Sequence, residues 1–120
     1  MQDRLRFLLA ALCTAIVVAG GSACAAALAE PTQRDASYAA QHWPGTTLAE
    51  LEQGRALFVQ TCAGCHTLKN PTSHSPAGWR AEVEQMRGKK GVALDDQQAE
   101  LIIRYLSTVA SRQDGHVAAR

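Results

Sequence analysis

The chain lacks an excess of either charge, a strand pattern and an internal repeat. Its 12 Lys and Arg stand against 11 Asp and Glu, a formal net charge of +1. That balance offers no basic surface for nucleic acid and none for an anionic membrane. No stretch alternates apolar and polar residues at period two, so a half-buried sheet is not indicated. No nucleophile, general base and oxyanion donors stand in a recognisable arrangement, so the chain is not read as an enzyme by itself. Cysteine is scarce where it counts. Cys13 and Cys24 fall in the first 29 residues, leaving Cys62 and Cys65.

Those first 29 residues differ from the rest. "MQDRLR" carries Arg4 and Arg6, and Phe7 to Ala29 contains no charged residue. A basic start, an apolar run and small residues at "ALA" before Glu30 predict a secretory signal ending at Ala29. A retained membrane anchor is the alternative, since about 20 apolar residues span a bilayer. Removing residues 1–29 leaves 91 residues, Glu30 to Arg120, with ten basic and ten acidic side chains. A chain of about 90 residues builds only a marginal core from side chains alone, so a staple or a large apolar cofactor would help.

The remainder reads as all-α. Residues 30–46, "EPTQRDASYAAQHWPGT", hold two prolines and few aliphatics and are expected to be an extended lead-in. Thr47 and Glu50 form a capping box that opens a helix, with Leu48, Leu51, Arg55 and Phe58 along one side. Ser75 and Pro76 suit the cap and first turn of a second helix bearing Trp79, Val83 and Met86. Gly88 and Gly91 stand at its end. Asp95 or Asp96 opens a third helix with Leu101, Ile102, Tyr105, Leu106 and Val109 on its apolar face. Residues 111–120, "SRQDGHVAAR", have too little apolar content to pack and are expected to form a disordered tail.

"CAGCH" at 62–66 admits three chemistries. A redox C-x-x-C pair normally starts a helix after a strand, and no strand pattern precedes this one. A closed zinc site needs four ligands, whereas Cys62, Cys65 and His66 supply three and only His74 is near in sequence. Covalent haem accounts for more. Two thiols three apart can form thioethers to one macrocycle, and the following imidazole can ligate its iron. An exported chain meets haem attachment outside the bacterial inner membrane, and a porphyrin supplies the missing apolar bulk. His66 is then the proximal ligand. The distal ligand is open between Met86, the only methionine after residue 29, and His74. His42 and His116 lie near the ends and are weaker candidates.

"GRALFVQTCAGCH" at 54–66 and "LIIRYLSTVA" at 101–110 resemble a class I c-type cytochrome, over about residues 47–110. The resemblance implies a cytochrome c-like fold of about three helices around one covalently attached haem c. It implies that Gly54, Phe58 and Tyr105 mark a close crossing of the first and last helices. The "W…V…M" helix is similar to that of some small periplasmic cytochromes in which the methionine is the sixth ligand. The implied function is a periplasmic carrier of single electrons between redox partner proteins. Alternatives are a haem c subunit dedicated to one dehydrogenase or oxidase, and a ligand-binding or sensing haem module. Contact with a membrane follows only if the N-terminal segment is retained. Lys69, Arg87, Lys89 and Lys90 are the residues that would form a docking rim for a partner.

Overall fold

Thr47 and Glu50 do close the capping box expected of them. Glu50 N–H donates to Thr47 Oγ1 at 3.2 Å, and Thr47 N–H donates to Glu50 Oε2 at 2.9 Å. The computed structural model describes residues 28–115, and these form four α-helices with no strand among them. They are α1 (Gln33–His42), α2 (Leu48–Cys62), α3 (Pro76–Lys90) and α4 (Asp96–Ala110). Single 3-10 turns follow at Pro71–Ser73 and Ser111–Asp114. Among the described residues no helix is long and apolar enough to cross a membrane. All of the expected signal segment except Leu28 and Ala29 lies outside the described residues, as does His116.

Local chemistry sets the helix ends. Ser75 caps α3 by accepting from Gly78 N–H at 3.1 Å, with Pro76 in the first turn where no amide hydrogen is needed. Gly91 closes α3 in the left-handed region at φ 68°, a conformation that a Cβ disfavours. Of the two candidate caps for α4, Asp95 takes the role, accepting from Gln98 N–H at 2.8 Å.

The main core lies where α2, α3 and α4 meet. Phe58, Trp79, Val83, Ile102, Tyr105, Leu106 and Val109 are buried together. The Phe58 ring meets Trp79 edge-on at 6.1 Å and Tyr105 at 6.4 Å. Such side chains contribute about 1.5–3 kcal/mol each on full burial. Gly54 permits the closest approach. A Cβ built there would overlap the Leu101 carbonyl and stand 3.0 Å from Tyr105 Cβ. The first obstacle is backbone, which cannot swing aside.

Two expectations about the ends need correction. Residues 30–46 are not an extended lead-in, because α1 forms within them. Thr32 caps it and exchanges hydrogen bonds with Asp35, and Ala36 and Ala39 pack with Leu51. Nor is the whole of 111–120 a loose tail. Ser111 is buried, and Arg112 grips Asp35 with Nε at 3.0 Å from Oδ1 and a terminal nitrogen 2.7 Å from Oδ2. A fork-to-carboxylate pair of this kind substitutes for apolar packing at a place poor in aliphatics. Leu28 and Ala29, which cleavage after Ala29 would remove, also touch the core. The Ala29 carbonyl accepts from Tyr105 OH at 2.9 Å, and the Leu28 carbonyl from Arg55 Nε at 3.3 Å.

Burial alone would push the Asp35 carboxyl up. The hydrogen bonds from Arg112 and Thr32 outweigh it and hold the group at about 2. The folded value is below the unfolded one, so the stabilisation is present above pH 4 and lost as pH falls toward 2. It amounts to about 2 kcal/mol. Asp35→Asn should therefore lower the unfolding free energy by about that much at pH 7 and flatten its decline below pH 4, as read by urea titration across pH. Gly54→Ala should cost about 2 kcal/mol or more in the same assay, since the clash exceeds the gain of about 1 kcal/mol in helix propensity.

Candidate functional site

The α2 helix ends at Cys62, so the CAGCH turn begins at a helix C-terminus. Two adjoining recesses open there and share Cys62, His66, Met86 and Val92 as lining residues. The first, of about 460 Å³ including open space, is walled by Phe58, Trp79, Val83, Leu94, Ile102 and Leu106. The second, of about 740 Å³ including open space, adds Thr61, Cys65 and Lys90. The walls are apolar, and the polar exceptions on the first recess are His66, Lys69 and Glu82.

Of the residues singled out in the sequence, Cys62, Cys65, His66 and Met86 come together. Cys62 and Met86 are half-buried, whereas Cys65 and His66 are exposed. His66 Nδ1 lies 2.9 Å from the Thr67 carbonyl. An N–H there donates to that carbonyl, and the same tautomer leaves Nε2 with its lone pair free for a metal. The backbone at Met86 is fixed by the end of α3. Its carbonyl accepts from the N–H groups of Gly91 and Val92, the latter at 3.1 Å.

His74 goes elsewhere. Its ring stands edge-on to Trp79 at 4.7 Å, and it lines neither recess. His42 ends α1 and stacks on Tyr38 at 4.5 Å, also away from the cleft. Trp79 is buried and donates from Nε1 to the Pro71 carbonyl at 2.6 Å. That bond fastens the loop after the CAGCH turn to α3. On the lining of the first recess, Lys69 Nζ lies 2.6 Å from Glu82 Oε1. The Lys69 hydrogen bond holds the Glu82 carboxyl below its ordinary value. Glu82 did not stand out in the sequence. Its spacing of four from Met86 on one helix was the available signal.

The expected docking rim is partly spent on internal pairs. Lys69 is held by Glu82, and Arg87 lies 2.6 Å from Asp96. Lys89 and Lys90 are exposed at the end of α3.

The Cys62 thiol does not suit disulfide exchange. Burial pushes the Cys62 thiol up, and the neighbouring Cys65 adds to the effect. A helix C-terminus works in the same direction, whereas reactive C-x-x-C thiols are lowered at helix N-termini. Among the described residues no three His, Cys, Asp or Glu side chains converge as ligands for a bare ion. The donors present instead suit a flat apolar group carrying a metal. Two thiols could anchor its edge, an imidazole and a thioether border the same cleft, and aromatic and aliphatic walls would cover its faces.

No family model, no curated protein and no solved structure matches the chain.

Trp79→Phe should keep most of the ring packing and leave the buried Pro71 carbonyl without its donor. A loss of about 1–3 kcal/mol in unfolding free energy is expected by urea titration.

Proposed function

We propose that this chain is a monohaem c-type cytochrome that carries single electrons between periplasmic partner proteins. The observation that carries the reading is the convergence of Cys62, His66 and Met86 on one apolar cleft beside Cys65. Cys62 and Cys65 would hold the haem through thioethers, His66 would be its proximal ligand and Met86 its distal ligand. When bound, haem supplies one-electron exchange at its iron.

The residues of the chain do the rest. Phe58, Trp79, Val83, Ile102 and Leu106 exclude water from the cleft and lower its dielectric, which is one lever on potential. The Nδ1 contact of His66 with the Thr67 carbonyl orients the imidazole and makes it a better donor. Exposure at Cys65 and His66 leaves one edge within reach of a partner. Lys89 and Lys90 give that side a local positive charge that favours acidic partners.

Methionine is preferred to His74 because it borders the cleft and His74 does not. A thioether opposite His also raises the reduction potential. Met86→Ala should abolish the six-coordinate low-spin signature in magnetic circular dichroism and lower the midpoint potential, while His74→Ala changes neither. The reverse pattern would assign the distal position to His74.

A further inference from the structure

Lys69 lies three residues after His66, and Glu82 lies four residues before Met86. One therefore belongs to the segment that follows the proximal ligand, and the other to the helix that carries the distal one. Both side chains line the same recess. They are its only lining residues of opposite charge, and they pair at 2.6 Å on its wall. Glu82 is well sheltered, with its side chain 19% exposed, and Lys69 is 41% exposed. Lys69 Nζ also reaches His74 Nε2 at 3.4 Å. The Trp79–Pro71 hydrogen bond fastens the later part of the same loop to α3. Without the Lys69–Glu82 contact, the three residues between His66 and Asn70 would have no side-chain hydrogen bond or ion pair to α3 among the described contacts, leaving only the packing of Leu68 on the core.

We propose that Lys69 and Glu82 form a clamp on the cleft wall that keeps Met86 on the iron against competing ligands. The inference rests on the haem reading and deepens it. Neither residue touches the iron; both are positioning residues. A small ligand from solvent must displace the thioether, and that requires the Met86 side of the cleft to yield. The ion pair opposes this by tying the two ligand-bearing segments together. A partly sheltered pair is worth a few-fold in such an equilibrium, less than a buried one because water screens Lys69.

The test uses the holo-protein and imidazole as the competing ligand for ferric iron. Lys69→Met and Glu82→Gln should each tighten imidazole binding about fivefold. The double variant should go no further than either single one, because both remove the same contact. Exchanging the charges, Lys69→Glu with Glu82→Lys, should restore most of the resistance. The two single variants leave opposite charges on the wall. A purely electrostatic influence would therefore move their affinities in opposite directions, and that result would overturn the clamp. Unchanged affinity in both variants would overturn it as well. These outcomes presuppose covalent haem in the parent chain. Its absence there would overturn the haem reading and the clamp together, so the two failures are told apart.

Discussion

The backbone contact at Gly54 is the constraint on which the rest of the molecule depends. A Cβ at this position would run into the Leu101 carbonyl, so its absence sets how near α2 lies to α4. That distance decides where the end of α2 stands, and the end of α2 is Cys62. Because α3 packs on α4 through Trp79 and Val83, Met86 is placed relative to the same reference. Arg80 adds a two-pronged tie from α3 to Glu100 of α4, at 2.6 and 3.2 Å. The cleft is what remains between three helices fixed in this way. Its chemistry is inherited from packing elsewhere.

The cleft also accounts for how so short a chain can hold together. A chain of about 90 residues buries a smaller share of its surface on folding than a larger domain does. Here Phe58, Trp79 and Tyr105 concentrate at one place, and the buried Phe58, Trp79, Ile102 and Leu106 line the recess. On the proposed reading, a large flat group seated against these side chains would add apolar contact to the core. The charged residues are spent mainly on structure. Asp35 with Arg112, Arg80 with Glu100, Arg87 with Asp96 and Lys69 with Glu82 tie separate segments.

Much of this was legible in the sequence because it is local. Capping boxes act over three residues, so Thr47 with Glu50 and Ser75 with Pro76 announced their helices. The apolar spacing in α4 named its buried face, whereas the crossing at Gly54, Phe58 and Tyr105 joins distant residues and was expected only from the resemblance to c-type cytochromes. What depends on distant partners was not legible. The α1 helix carries its own signal in Thr32 and Asp35, yet its burial relies on Arg112, 77 residues away. Composition argued against order at both ends, and one partly buried ion pair joins them. Glu82 was missed for the same reason. Its partner belongs to a loop whose path follows from the Trp79–Pro71 bond, and no periodicity records that path. Met86 and His74 could not be separated by spacing, since both lie within reach of His66 along the chain. In the fold His74 turns to the edge of Trp79 while Met86 borders the cleft, which supports the proposed choice of Met86.

The central claim is that the CAGCH turn carries covalent haem. The most direct measurement is the intact mass of the protein under denaturing conditions, after production in a host that attaches haem to exported chains. The account predicts a polypeptide heavier by one haem that survives unfolding, and a chain that no longer retains it covalently when Cys62 and Cys65 are both replaced by Ala. A chain of bare polypeptide mass, exported intact and folded with a bound zinc ion or no metal, would contradict it.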